Sequence, residues 1–580
     1  MLERIRELIG EKLGDLQFEV LLADPPAGGE MRGHLNTNAA FPFAKQMGVL
    51  PMAAAEELKK YLEEKGADFF SKIEVAQPGF INFWLKPEVI REEFEEIVEA
   101  GKSWGKPFDF AQGKAIIEYS QPNIAKPMHV GHLRSTIIGD ALANILEFAG
   151  YEVIRWNYLG DWGTQFGKVI AAYKLWGDKK EIEKAPVEVL AGLYARFHEE
   201  MKQDPALEAR GREEFRKLEA GDKENGELWE WFKGESIKEL DKIYKLLNIE
   251  FDEWKGESSY RESLLPLISL LLGRGIAGES EGAIVIPLEK FNLPPALIRK
   301  SDEGTLYLTR DIASLEERVK NYQADKVLYV VDNGQSLHFQ QLFAIAEILG
   351  LKGNFAHIKF GLVLGEDLKK LSTRAGRHIA LLEVMNEAVE RARKITHEKQ
   401  LVRQARGEPE MSDGEKAIVA QIVGIGALKY NDLSQSRVAD ITFDWDKMLS
   451  LRGNSAPYLQ YTYARLKSIL RKADNIPSLE AGAIYGELVE SIEKEADLRL
   501  ILKLVFFPEA VKEASESYLP HQIANYLYGL ARSINDYYEK EPILKAEGSL
   551  RGARLHLIKT ASETLKTGLG LLGIGVVERM

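Results

Sequence analysis

Apolar positions recur along this chain in two rhythms, and the change from one to the other outlines its elements. Lys114 to Ser120 (KAIIEYS) is an apolar run of strand length. Behind it, Leu133, Ile137, Ile138, Ala141, Leu142, Ile145 and Leu146 fall on one face of a helical repeat, and Gly150 is placed to end that helix. Similar strand-like runs occupy 152–159 (EVIRWNYL), 283–288 (AIVIPL), 326–331 (KVLYVV) and 358–364 (IKFGLVL). Helical patterns separate them, as in a doubly wound parallel sheet. From 168 to about 275 the pattern is helical, which predicts an insertion between the two halves of the sheet. Ile237, Leu240, Ile243, Leu246 and Leu247 suit packing inside it. A helix opens the chain, and Gly79 to Leu85 (GFINFWL) alternates like a strand, which predicts a small α+β unit. Arg406 to Gly414 reads as a linker. Ser412 and Glu415 then make a capping box, and everything to Met580 is helical apart from short turns. The fold class is therefore multidomain. A small α+β domain spans 1–107, an α/β Rossmann-like parallel-sheet domain with its helical insertion spans 108–405, and an all-α bundle spans 412–580.

Composition narrows the class. The chain has 580 residues, 45% apolar and 28% charged, as expected for three or four globular domains. It has no run of about 18 apolar residues, so no membrane span is expected. The opening MLERIRELIGEKLGDL lacks the apolar core of a signal peptide, which points to the cytoplasm. The absence of cysteine excludes disulfides and zinc–thiolate sites. The ten histidines form no H-E-x-x-H or similar cluster, so no structural metal is expected. A net charge of −13 weighs against nucleic acid, but local basic surface decides such contacts. Arg465 with Lys467, Arg471 with Lys472, and Arg391 to Lys394 are candidates for it.

The densest chemistry lies between the strand at 114–120 and the helix after it. His129-Val130-Gly131-His132 places two histidines three residues apart at a helix start. Free N–H groups and the positive dipole end favour a triphosphate there, and Gly131 allows close approach. Taken alone, two such histidines are quite often just cap or core residues. A second element, Lys369-Lys370-Leu371-Ser372-Thr373-Arg374, supplies cations and a hydroxyl suited to pyrophosphate, though alone it is a common surface sequence. In the helical region Tyr458, Tyr461 and Arg465 share one face, able to stack on and grip unpaired bases or simply to pack a core.

The longer strings are more specific. P-N-x-A-K-P-x-H-x-G-H-L-R-S-T followed by N-Y-L-G-D-W-G-x-Q-F-G resembles class I aminoacyl-tRNA synthetases, and within them the arginyl-tRNA synthetases. The segments Y-L-T-R-D at 307–311 and A-P-Y-L-Q-Y-x-Y-x-R at 456–465 carry the same resemblance, which runs over essentially the whole chain. It implies an arginine–tRNA ligase in protein biosynthesis, acting on L-arginine, ATP with Mg²⁺, and tRNA(Arg). His129, Gly131 and His132 would bind ATP, and His338 would lie near its adenosine. Lys370 and Ser372 would close over the pyrophosphate. Tyr307 and Asp311 would take the substrate guanidinium, with Glu118, Asn123 and Gln335 reading the rest of the amino acid. Tyr458, Tyr461 and Arg465 would contact the anticodon, and the first domain the tRNA elbow. The 369–374 loop departs from the class pattern K-M-S-K-S, with Leu371 for Met and Thr373 for the second Lys. Arg374 or Lys126 would supply the missing charge. The expected state is a monomer without membrane contact. A lysine-specific synthetase, a nucleotidyltransferase of similar fold and a non-catalytic RNA-binding relative remain the alternatives.

Overall fold

The computed structural model describes residues 1–23, 33–106, 113–301, 306–365, 380–404, 410–473, 491–492 and 494–580. Its N-terminal part runs α1 (Leu2–Leu13), β1 (Val20–Leu22), β2 (Leu35–Thr37), α2 (Ala40–Met47), α3 (Pro51–Lys65), β3 (Phe70–Ala76), β4 (Phe80–Leu85) and α4 (Pro87–Ala100). The strands form an antiparallel sheet in the order β1-β2-β4-β3. In β4 Ile81, Phe83 and Leu85 are buried and Phe80 is exposed, as alternation predicts, but Asn82 on the opposite face is buried too.

The central part holds the parallel sheet. β5 (Lys114–Glu118) leads into α5 (Val130–Phe148), then β6 (Glu152–Asn157) and α6 (Thr164–Trp176). Helices α7 (Lys179–Lys184), α8 (Pro186–Glu200), α9 (Ala206–Glu219) and α10 (Lys223–Leu247) form the insertion, followed by β7 (Glu253–Trp254) and α11 (Arg261–Gly273). Next come β8 (Gly278–Ser280), β9 (Ala283–Ile286), β10 (Ala296–Arg299), α12 (Tyr307–Lys320), β11 (Lys326–Tyr329), α13 (Ser336–Ile348), β12 (Asn354–His357), β13 (Val363–Leu364) and α14 (Leu381–Gln404). Five strands run parallel in the order β12-β11-β5-β6-β7. The chain winds outward from β5 through β6 and β7 on one side, and from β11 to β12 on the other. The crevice at the C-terminal ends of β5 and β11 is thus the topological switch point, where ligands bind in open sheets of this kind.

Two strand expectations are corrected. The run 283–288 is not in the parallel sheet; β9 is the centre of a small antiparallel sheet, β10-β9-β8. The run 358–364 begins only after β12 has ended at His357; within it Val363–Leu364 alone form a strand, β13, which pairs outside the parallel sheet.

The C-terminal part comprises α15 (Asp413–Leu433), β14 (Ile441–Thr442), α16 (Trp445–Met448), α17 (Ala456–Lys472), α18 (Glu495–Val505), α19 (Phe507–Ser517), α20 (His521–Lys540) and α21 (Gly548–Leu571). The capping box at Ser412 and Glu415 is formed. Within this helical region β14 is a departure from expectation; it pairs in parallel with β13. Polar ties bind the parts together. Arg6 makes a two-pronged bond to Glu509, at 2.8 and 2.7 Å, and Trp104 Nε1 donates to the Leu504 carbonyl at 3.0 Å. Among the described residues no helix is long and apolar enough to cross a membrane.

Candidate active site

The backbone leaves β5 through a bend that few side chains tolerate. Ser120, Gln121 and Ala125 all have positive φ, at 75°, 49° and 61°. Buried hydroxyls fix it. The Ser120 N–H donates to Ser135 Oγ at 3.0 Å, Ser135 Oγ donates to the Val330 carbonyl at 2.7 Å, and Thr136 Oγ1 donates to Ser120 Oγ at 2.9 Å. The bend delivers His129 to the N-cap of α5.

Both histidines of H-x-G-H serve the helix start. The Gly131 N–H donates to His129 Nδ1 and the His129 N–H donates to His132 Nδ1, each at 3.1 Å. The rings lie 4.0 Å apart. Accepting at Nδ1 assigns the proton of each neutral ring to Nε2, so both can donate a hydrogen bond from there. A Cβ on Gly131 would lie 2.9 Å from the His129 ring, so only glycine leaves that ring its place. Cap and ligand roles are therefore compatible. His129, Gly131 and His132 line a 330 Å³ cavity with Ser120, Gln121 and Asp332. That cavity sits at the switch point.

Beside it lie the residues expected to read the amino acid. Glu118 ends β5, buried; Gln121 Nε2 donates to its Oε1 at 2.9 Å and Arg318 Nη2 to its Oε2 at 2.5 Å. Burial pushes its carboxyl up, against the pull of Arg318, and Asp311 pushes the same way. Asp311 is the fifth residue of α12, and His338 Nε2 lies 2.6 Å from its Oδ2. His338 thus sits with Asp311 and is not among the residues lining the cavity. Tyr307 opens α12 and is 62% exposed, with the Arg310 guanidinium 5.6 Å from its ring centre. Asn123 bridges to Gly160, where any Cβ would meet its Oδ1 at 2.4 Å. Gln335 is exposed at the end of a 3₁₀ turn before α13. Lys126 is exposed, its ammonium 5.6 Å from the Tyr194 ring of the insertion. Lys370, Ser372 and Arg374 lie outside the described residues.

The aromatic face of α17 comes together as read. Arg465 lies over Tyr461 at 5.1 Å and Tyr538 at 5.3 Å. Its Nη1 donates to Asn535 Oδ1 at 2.8 Å, and Asn535 Nδ2 donates to Tyr458 Oη at 3.0 Å. All three side chains are half-buried, so the face packs on α20 and still reaches solvent.

Comparison with known proteins covers the same parts. Residues 97–445 match the family model for class I tRNA synthetases (R), catalytic domain. Residues 3–85 match the arginyl-tRNA synthetase N-terminal domain, and 459–580 the DALR anticodon-binding domain. The arginine–tRNA ligase of Fusobacterium nucleatum is 41% identical, over 96% of this chain and 94% of its own. That of Halothermothrix orenii is 39% identical, over 100% and 99%. The chain belongs to the arginyl-tRNA synthetase family. The solved arginyl-tRNA synthetase of Thermus thermophilus superposes with a TM-score of 0.82 at 28% identity, covering 100% of both chains. That of Plasmodium falciparum gives 0.82 at 26%, covering 100% of this chain and 99% of its own.

As an arginyl-tRNA synthetase the chain is a class I ligase that joins arginine to tRNA(Arg), with ATP as substrate. The multidomain fold read from the sequence is the one this family has. The structure also shows two buried ionic contacts near Glu118 and Asp311 that the sequence did not single out. Arg318 is fully buried against Glu118. Glu257, in a 3₁₀ turn before α11, lies 3.5 Å from Arg310 Nη1. Its Oε2 makes no hydrogen bond, and burial pushes its carboxyl up to about 8. No local motif marks either residue, because each acts through a partner far away in the chain.

Proposed function

We propose that the residues gathered at the switch point divide the two steps of arginylation among them. The arginine carboxylate attacks the α-phosphorus of ATP. The bond to the bridging oxygen breaks, releasing pyrophosphate and leaving arginyl-adenylate. The 2′-hydroxyl of the terminal tRNA adenosine then attacks the activated carbonyl carbon, and AMP departs. His129 and His132 donate from Nε2 to phosphate oxygens, above the N–H groups of α5. Lys370 and Ser372 close over the pyrophosphate, Lys126 or Arg374 supplies the further charge, and Mg²⁺ accompanies the triphosphate. Tyr307 and Asp311 take the guanidinium, while Glu118, Asn123 and Gln335 face the amino-acid end, with His338 beside Asp311. No covalent enzyme intermediate is required. The groups act by alignment and by neutralising charge that develops at the transferring phosphorus.

The observation that carries this reading is the adjacency of a carboxylate pair, Glu118 and Asp311, to the histidine-lined cavity. Gln121 belongs to both: it bonds Glu118 and lines the cavity. Asp311, partly buried and left without its cation, would also disfavour substrates that lack a guanidinium. Tyr458, Tyr461 and Arg465 hold the anticodon, the N-terminal sheet meets the tRNA elbow, and the working form is a cytoplasmic monomer.

The test is arginine-dependent exchange of pyrophosphate into ATP, with and without tRNA(Arg), with lysine as control. Exchange with arginine alone among amino acids supports the site, and a requirement for tRNA shows that RNA completes it. Equal exchange with lysine removes the carboxylate-pair reading.

A further inference from the structure

An arginine beside a nucleotide cavity usually binds phosphate. Arg134 lines the cavity that His129 and His132 share, yet it has no donor left for a phosphate. Its Nε and Nη2 donate to the two oxygens of Asp432 at 2.9 and 3.0 Å. Its Nη1 donates to the Ala439 carbonyl at 3.0 Å and the Leu362 carbonyl at 3.4 Å, and Nη2 also to the Arg437 carbonyl at 3.3 Å. Every N–H of the guanidinium is thereby taken. The acceptors lie on α15, on the strap 437–441 beyond it, and on the stretch 360–363, which itself lines the cavity. We propose that Arg134 and Asp440 are positioning residues for ATP: they pin 360–363 to α5 and to the strap, and so set the width of the cavity between that stretch and the two histidines.

The stretch depends on these contacts because the parallel sheet does little for it. Phe360 bridges to Asp332, and beyond that point the strap supplies the bonds. The Gly361 N–H donates to the Arg437 carbonyl at 3.0 Å, and the Ile441 N–H to the Leu362 carbonyl at 3.0 Å. The Leu362 N–H donates to Asp440 Oδ1 at 2.7 Å, and Arg437 Nη1 to the Lys359 carbonyl at 2.6 Å. Glycine at 361 is what lets the strap come so near: a Cβ there would lie 2.5 Å from the Ala439 carbonyl oxygen and 2.6 Å from Asp440 Oδ1. Asp440 is exposed and is not among the residues lining the cavity, so it acts on a nucleotide through the backbone of Leu362. Arg134 makes the same connection from the inside, because it stands on the helix whose first turn carries the histidines. The inference rests on the reading that this cavity takes ATP.

The experiment measures kcat and the KM values for ATP and for arginine in pyrophosphate exchange, on the full chain with tRNA(Arg) present. Asp440→Ala removes the acceptor of the Leu362 N–H without entering the cavity. It is expected to raise the KM for ATP about three- to tenfold, the range of one intramolecular hydrogen bond, with kcat and the arginine KM within about twofold of wild type. Asp440→Asn keeps an acceptor oxygen in place and is expected to bring the ATP KM back to within about twofold. Arg134→Lys keeps the charge without the fork and is expected to raise the ATP KM more than about tenfold. If Arg134→Lys does not fold by circular dichroism, Gly361→Ala, which drives a methyl into the strap, takes its place with the same expectation. Unchanged KM values in Asp440→Ala, an equal rise in both, or no rescue by Asp440→Asn overturns the role of Asp440. A wild-type ATP KM in Arg134→Lys overturns that of Arg134. His129→Ala tests the reading beneath the proposal. If it leaves exchange unchanged, the cavity is not the ATP site and both fall. If it lowers exchange while Asp440→Ala and Arg134→Lys behave as wild type, only the positioning roles fall.

Discussion

Asp311 shows how much can rest on one side chain. It lies on the first turns of α12, and its Oδ2 is 2.6 Å from His338 Nε2. A guanidinium arriving there exchanges an imidazole contact for a charge-assisted pair. Asp311→Asn keeps the shape and removes the charge. It is expected to lower kcat/KM for arginine by about a hundred- to a thousandfold, about 3–4 kcal/mol. Exchange kinetics at varied arginine checks this, and a loss under threefold would remove Asp311 from the pocket. Glu257 gives a second expectation. Its carboxyl is raised to about 8 because burial outweighs a 3.5 Å ion pair to Arg310. A raised carboxyl contributes stability that is present below its unfolded value and lost as pH rises through the folded one. Stability should therefore fall between about pH 5 and 8 by a few kcal/mol, and Glu257→Gln should flatten that slope in urea titrations. These two residues also mark the limit of sequence reading. Asp311 stands in a short string, YLTRD, whose parts are neighbours in the chain. Glu257 and Arg318 matter through Arg310 and Glu118, and Arg318 lies 200 positions from Glu118. Such a pairing leaves no periodic or spaced trace.

Among the elements, α5 joins the site to the rest of the molecule. Its N-terminus carries the two histidines, and one turn on Arg134 is buried. Arg134 Nε and Nη2 donate to both oxygens of Asp432 on α15, at 2.9 and 3.0 Å. Nη1 reaches the Ala439 carbonyl at 3.0 Å. The exposures of the pair are 1% and 4%, so neither charge has water to fall back on. Asp432→Asn should cost about 3–5 kcal/mol, since it leaves a buried guanidinium without its counter-charge. Chemical denaturation measures this, and a cost under about 1 kcal/mol would mean that the junction relaxes around the loss. The pattern of apolar positions foretold α5, α15 and the capping box between α14 and α15, because each is encoded locally. It misplaced β9 because a four-residue apolar strand looks alike in parallel and antiparallel sheets; only the partner differs. It began the last strand at Ile358 and missed β12, because Asn354 and His357 are polar whereas Ile358, Phe360 and Val363 are apolar and buried.

At the scale of the whole molecule, the histidine-lined cavity lies in the part matched by the catalytic-domain model and Arg465 in the part matched by the anticodon-binding model, and the net charge of −13 means that tRNA must be held by local features. The face on α17 is built of two tyrosines and one arginine, with Asn535 tying Arg465 and Tyr458 to α20. Stacking on bases and pairing with phosphate make different demands, and salt tells them apart. A phosphate contact releases counterions, so its loss lowers the slope of log KM for tRNA against log salt by about one. A stacking contact contributes about 1–3 kcal/mol per base with little counterion release. Arg465 lies against two rings, Tyr461 and Tyr538, and its guanidinium is already bonded to Asn535, which favours stacking. Arg465→Ala is therefore expected to raise the KM for tRNA(Arg) about tenfold while leaving the salt slope as in wild type. Exchange at saturating tRNA should stay within about twofold, because the histidine-lined cavity is untouched. Aminoacylation at several salt concentrations measures all three quantities. A slope reduced by about one would make Arg465 a phosphate ligand. An unchanged KM in a folded variant would make the tyrosine face a packing surface, and the anticodon would have to be sought elsewhere on the helical unit.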